Sequence, residues 1–347
     1  MSEKMKAVVI NGKENVEPTE LPRPTPAADQ ILVKIDGCAI CTWEQRVYST
    51  GKFAMPFLGG HEVVGTVAQL GSDINPNSFS VGDLVTVRMI NSCGCCYYCR
   101  KGEENICVDS YANMSADLGM HGPGGFAEYK AAKPSSIWKM NPDMPKDNIV
   151  LVEPLACTLK SVEKANIELG DDVVVIGGGV MGLLHIMVSK LKGAKVILSE
   201  PDSKRRELAM SLGCDIAFSP IQEDPIDFVK THTGGRGADI VFNTTAISTV
   251  AAQAIEMTGK MGRCIMYSSL HPDEPIALSA NKLHSTEKVI TGVVSPSIQS
   301  FDTAVKLLNK GLIDPSALLS GTFKYSDAKA AFETAVKPDT FRVVIRF

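Results

Sequence analysis

Two periodicities divide the chain. Up to about residue 150 the apolar positions fall in short runs separated by Gly, Asn, Asp and Pro. MKAVVI at 5–10, ILVKI at 31–35, 62–70 and 83–89 read as strands. Pro18, Pro22, Pro24 and Pro26 predict a rigid exposed loop between the first two. This half predicts a small, mostly β, barrel-like domain. Beyond Val150 strand runs alternate with helical spacing. Helices are expected near 155–166 and at 180–192, 203–212 and 249–257, and strands at 173–176, 195–199, 240–243, 263–267 and 289–294. Such alternation predicts an α/β doubly wound parallel sheet. Two helices, 301–309 and 326–336, precede a last strand, 342–347. That strand has no place in the parallel sheet and is expected to return to the first domain.

The most informative stretch is DVVVIGGGVMGLLHIMVSKLKGAKVILSEPD at 172–202. A buried-type strand runs into Gly177, Gly179 and Gly182 at G-x-G-x-x-G spacing, then a helix opened by Val180 and Met181, then a second strand ending at Glu200. Gly177 permits the tight turn, Gly179 lets backbone approach a pyrophosphate at the helix N-terminus, and Gly182 lets the helix pack closely on the strand. Glu200, 21 residues after Gly179, is placed to accept both ribose hydroxyls. The complete strand–turn–helix–strand–acid unit therefore predicts a bound NAD.

The chain has 347 residues, long enough for two domains, and a formal net charge of −4, which supplies no general attraction to nucleic acid or anionic membrane. The N-terminus lacks an apolar signal-peptide core, and no run is long enough for a membrane span, so a cytoplasmic location is expected. Of ten cysteines, seven fall between Cys38 and Cys107, which points to metal before disulfide.

Cys93, Cys96, Cys99 and Cys107 stand at C-x2-C-x2-C-x7-C, with Gly94 and Gly102 to turn the loop and Cys95 left over. Four thiolates so close suit a tetrahedral structural zinc. An iron–sulfur cluster is the rival, against which stand the x7 spacing and the missing Cys-Pro. Arg100 and Lys101 are balanced by Glu103 and Glu104, so the lobe is not expected to read nucleic acid. A second set is dispersed: Cys41, His61, Glu62 and Glu153. Together they would give zinc three protein ligands and one open position, the catalytic pattern.

AICTWE at 39–44, GGHEVVGTV at 59–67, the cysteine lobe, GGFAEY at 124–129, EPLAC at 153–157 and VIGGGVMG at 175–182 occur in that order. By these motifs the chain resembles the zinc-dependent medium-chain alcohol/polyol dehydrogenases of the sorbitol and threonine dehydrogenase type, over nearly its whole length. The resemblance implies a GroES-like β-barrel catalytic domain, residues 1–153, interrupted by a NAD-binding Rossmann domain, 154–295, and completed by 296–347. It implies that Cys41, His61 and either Glu62 or Glu153 hold a catalytic zinc, that Glu44 orients the histidine, and that a basic residue such as Arg205 coexists with NAD use. The implied reaction moves a hydride between a primary or secondary alcohol, polar, polyol or anionic, and NAD. The partners expected are this small molecule and a second copy of the chain in a dimer or tetramer. A zinc-independent NAD(P)H reductase or nucleotide-binding protein on the same fold is the alternative.

The chain also departs from the family's G-I-C-G-[ST]-D pattern. Trp43 replaces the Ser or Thr that passes the alcohol proton onward, and an indole N–H is a donor only. Arg46 falls where some members carry a relay histidine. Trp43, Arg46 and Tyr48 are expected to line the substrate pocket, with Phe53 a further candidate.

Overall fold

Strands form where β-branched residues lie between turn formers. β1 (Lys4–Gly12) and β2 (Asn15–Pro22) pair as an antiparallel hairpin. β3 (Ile31–Ala39), β4 (Glu62–Leu70), β5 (Leu84–Val87), β6 (Tyr129–Ala132) and β7 (Ile137–Lys139) build a larger sheet. The computed structural model describes residues 3–110 and 114–347, which fall into two compact units, 1–156 with 297–347, and 157–296. The proline stretch is not wholly a loop, because Pro18 and Pro22 lie inside β2 opposite Val8 and Lys4. In a two-stranded hairpin the outer edge needs no ladder donor, so proline's missing N–H costs nothing there.

The second unit carries β8 (Asp172–Ile176), β9 (Lys195–Ser199), β10 (Ile216–Phe218), β11 (Ala238–Asn243), β12 (Thr258–Met266) and β13 (Val289–Gly292). They form one parallel sheet in the order β10-β9-β8-β11-β12-β13. The order reverses between β8 and β11, the switch point at which dinucleotides bind in doubly wound sheets. β8 is buried along its whole length, as its unbroken apolar run requires.

The tail holds a helix, Ile298–Asn309, then β14 (Leu319–Lys324), a helix, Ala328–Ala335, and β15 (Arg342–Arg346). β15 pairs with β3, and the first unit's sheet runs β14-β15-β3-β4-β5-β7, with β6 also on β3. Phe57, Phe126 and Phe332 are fully buried in its core, the last brought by the tail helix.

This register places the chemistry. Ala39, at the end of β3, lies opposite Glu62, at the start of β4, and opposite Val344 of β15. Cys41, His61 and Arg342 therefore leave three adjacent strand ends at the same edge.

Candidate functional site

Cys41 is the N-cap of the Thr42–Thr50 helix, where the chain turns out of β3. On that helix's buried face, Glu44 has no exposed surface. One Glu44 oxygen accepts from His61 Nδ1 at 2.8 Å and from the Gly60 amide at 2.9 Å. Gly60 is required: its φ is +90°, and a Cβ there would stand 2.5 Å from the Phe126 nitrogen. The second Glu44 oxygen is buried without a hydrogen-bond partner among the described residues. With Nδ1–H committed to Glu44, the other ring nitrogen of His61 is the one left to ligate a metal.

The ligand atoms of Cys41, His61 and Glu62 lie within 4.8 Å of one another. Thiolate, imidazole and carboxylate at that spacing are a donor set that fits zinc with a fourth position open. Burial raises the Cys41 pKa, against the pull of Arg342 and His61. Burial also works against a charge on His61, but Glu44 and Cys41 outweigh it and raise its pKa well above the ordinary 6.5. Such buried, opposed charges are what a divalent cation reconciles.

Sequence reasoning missed Arg342. Its Nε donates to both Glu62 oxygens, at 3.0 and 2.8 Å, and a terminal nitrogen reaches Cys41 Sγ at 3.6 Å. Burial disfavours its charge, but Glu62, Cys41 and Glu153 together raise its pKa. Glu153 is not in the group within 4.8 Å. It lies buried in the first turn of the Val152–Ala165 helix, near enough for its charge to act on Arg342. One guanidinium thus faces both carboxylates proposed as ligands.

Trp43 packs beside His61 with ring centroids 5.8 Å apart, and Arg46 is half-buried. Tyr48 must be corrected. It is 3% exposed and packs on Phe332 at 5.1 Å, so it belongs to the core and lines no pocket. Counted along the helix from Trp43, Tyr48 falls on the Glu44 side, which β-sheet packing buries.

In the cysteine lobe, Cys93 and Cys99 sulfurs are 4.0 Å apart and those of Cys96 and Cys107 3.9 Å. Backbone amides of Cys93, Cys96, Cys99 and Asp109 donate to these sulfurs at 3.3–3.5 Å. Amides of Cys95 and Cys96 bring Cys93 down to about 6, whereas burial and the neighbouring thiols push Cys99 up to about 12. The first thiolate forms easily and the last does not, so four thiolates coexist only around a cation. All ten cysteines are free, in keeping with metal rather than disulfide.

In the second unit Gly177 has φ +98°, and a Cβ on Gly182 would meet the Gly177 carbonyl at 1.8 Å. Gly179 caps the helix Val180–Leu191, whose first amides are free of intrahelical partners. Glu200 accepts from the Gly178 amide at 2.5 Å and the Asp202 amide at 2.9 Å, which fixes its carboxylate under the glycine turn. Of the nearby basic residues, Arg206 is spent on the Glu200 and Pro201 carbonyls at 2.7 and 2.6 Å. The Arg205 guanidinium lies 3.7 Å from where a Gly179 Cβ would be.

Residues 27–143 match the family described as "Alcohol dehydrogenase GroES-like domain", and residues 180–310 the family described as "Zinc-binding dehydrogenase". The chain is 30% identical to L-threonine 3-dehydrogenase of Pyrococcus horikoshii over 99% of both chains. It is 29% identical to sorbitol dehydrogenase of Halalkalibacterium halodurans, over 98% of this chain and 99% of that one. A zinc-binding dehydrogenase of Sinorhizobium meliloti 1021, solved bound to NADP, superposes with a TM-score of 0.90 at 25% identity and covers all of both chains.

Proposed function

Because this chain belongs to the zinc-dependent medium-chain alcohol dehydrogenase family, we propose that it interconverts a small alcohol and its ketone or aldehyde, with NAD taking or giving the hydride. The observation that carries this reading is the convergence of Cys41, His61 and Glu62 ligand atoms within 4.8 Å. Cys41, His61 and one of Glu62 or Glu153 would hold a catalytic zinc, and Cys93, Cys96, Cys99 and Cys107 a structural one. When bound, the catalytic zinc supplies Lewis acidity that makes an alcohol hydroxyl easier to ionise. Gly177, Gly179, Val180, Met181 and Gly182 would take the pyrophosphate of NAD, and Glu200 its ribose hydroxyls.

The chain's own residues do the rest. Glu44 holds His61 in one tautomer and orientation. Arg342 holds Glu62 and leaves Glu153 as the carboxylate best suited to accept the hydroxyl proton, since Trp43 cannot relay it. Trp43 keeps water from one side of His61. We assign the metal chemistry to residues 1–153 and 296–347 and the nucleotide to 154–295. The edge strand β13 leaves Val289 47% exposed, with Val294 beyond it 51% exposed, which supports self-association through that edge. Cys41→Ser tests the assignment. Zinc content is expected to fall by one per chain and NADH formation with it, and unchanged turnover would refute it.

A further inference from the structure

Trp43 and Arg46 stand three residues apart on the Thr42–Thr50 helix and so share one face of it, whereas Glu44, Val47 and Tyr48 take the buried face. Because Cys41 is that helix's N-cap, the shared face begins beside the ligand group. The Trp43 ring lies 5.8 Å from His61 at a tilt of 49°. Phe57 and Phe53 hold it edge-on at 5.5 and 5.7 Å, and they meet each other at 4.9 Å. Phe57 is fully buried and anchors the group, while Phe53 is 44% exposed. Three rings therefore form a wall against one side of the histidine.

Such a wall offers dispersion and an aromatic quadrupole, and its one polar group is the indole N–H. It holds no hydroxyl, amide or carboxylate to receive the hydroxyls of a polyol. Each hydroxyl pressed against it would lose its water partner without replacement, at roughly 1–3 kcal/mol. An aryl or branched alkyl group meets no such penalty.

Arg46 adds the second constraint. It is half-buried, and although burial lowers its pKa, the Cys41 thiolate raises it, so a charged guanidinium stands within electrostatic reach of the ligand group. A guanidinium offers planar paired donors that match a carboxylate, and it repels an ammonium.

Building on the dehydrogenase reading above, we propose that the substrate is a hydroxy acid with an apolar side, whose aryl or branched alkyl group lies on the Trp43–Phe53–Phe57 wall and whose carboxylate pairs with Arg46. The hydroxy acid gives its carbinol hydride to NAD and its hydroxyl proton to Glu153 and then solvent, leaving the oxo acid, NADH and one proton. Polyols are disfavoured by the wall and amino alcohols by Arg46. This departs from the substrates that the names of the threonine and sorbitol dehydrogenases carry.

The test uses the zinc-loaded full-length protein with saturating NAD. Initial rates of NADH formation are compared for 2-hydroxy-3-phenylpropanoate, 3-hydroxy-3-phenylpropanoate, the primary amide of each, sorbitol and threonine. At least one acid is expected to exceed its amide, sorbitol and threonine by about tenfold or more in kcat/KM, equivalent to about 1.4 kcal/mol. Arg46→Gln should erase the acid–amide difference chiefly through KM, and Arg46→Lys should restore part of it. Trp43→Ala should weaken the aryl acids relative to 3-hydroxybutanoate.

A second readout is independent of turnover. The chain has two tryptophans, Trp43 and Trp138, so titrating the better acid should quench fluorescence in the wild type but not in Trp43→Phe. Equal rates for acid and amide, a best rate with sorbitol or threonine, or an unchanged preference in Arg46→Gln would overturn the proposal and leave the dehydrogenase reading intact. Quenching that depends on Trp43 and Arg46, without any NADH formed, would instead support the recognition and overturn the reaction.

Discussion

Arg342 changes how the carboxylates around Cys41 are read. Glu62 adjoins His61 in the sequence and so looks like the natural third ligand, yet both its oxygens already accept from a buried guanidinium. Glu153, deeper along the chain, is free of that pairing at the carboxylate distances given for Glu62. If Glu153 accepts the hydroxyl proton, Glu153→Gln should keep its zinc and lose kcat by roughly 10²–10⁴-fold, the usual worth of a positioned base. Loss of zinc together with activity would make it a ligand, and wild-type behaviour in both would remove it from the site. Cys41, His61 and Glu44 were legible because short motifs hold them: AICTWE and GGHE each carry their residues within a few positions. Arg342 was not legible, since 280 residues separate it from Glu62 and only the pairing of β15 with β3 joins them. Tyr48 was misread because helical spacing alone does not say which face a sheet will bury.

Elements whose causes are local were read most faithfully. The β8–glycine–helix–β9 unit has its strand run, turn and acid within one contiguous stretch, and the observed strands Asp172–Ile176 and Lys195–Ser199 follow it closely. The proline stretch failed because the hairpin partner β1, not the prolines, decides that β2 is a strand. In the cysteine lobe, Cys96→Ser should remove zinc from that set and lower thermal stability, since three thiolates remain around a metal built for four. Unchanged zinc content and melting temperature would show that the lobe holds no metal. A different element sets an acid limit on the second unit. His185, on the helix Val180–Leu191, is fully buried, bonding the Met181 carbonyl at 2.7 Å and the Ser161 hydroxyl at 2.9 Å. Burial holds its pKa down at about 4, from an ordinary 6.5. The unfolded chain therefore binds more protons than the folded one between these values. Stability should be full above about pH 6.5 and decline towards pH 4, by up to roughly 3 kcal/mol from this group. Urea midpoints across that range should fall less in His185→Gln than in the wild type, and parallel curves would contradict the assignment.

Across the whole chain, two units divide the work, one bearing the metal ligands and the other the dinucleotide turn. The alternation of strands and helices beyond Val150 foretold the parallel sheet, whose order is that of dinucleotide-binding folds. The irregular first half was readable as β but not as a topology, because its pairings join strands far apart in sequence. Cofactor choice belongs to the second unit. With Glu200 fixed beneath the glycine turn and Arg206 spent on carbonyls, a 2′-phosphate meets a carboxylate and only Arg205 in compensation. kcat/KM should therefore favour NAD over NADP, and an equal or better value with NADP would show that Arg205 prevails. The central claim is that the Cys41–His61 group is a zinc site for alcohol oxidation. It is tested most directly by following NADH absorbance with an alcohol and hydroxy-acid panel before zinc removal, after chelation, and after zinc is returned. The account predicts two zinc ions per chain at the start, loss of turnover as the catalytic one leaves, and recovery when zinc is restored. Alcohol oxidation that persists in zinc-free protein would contradict it.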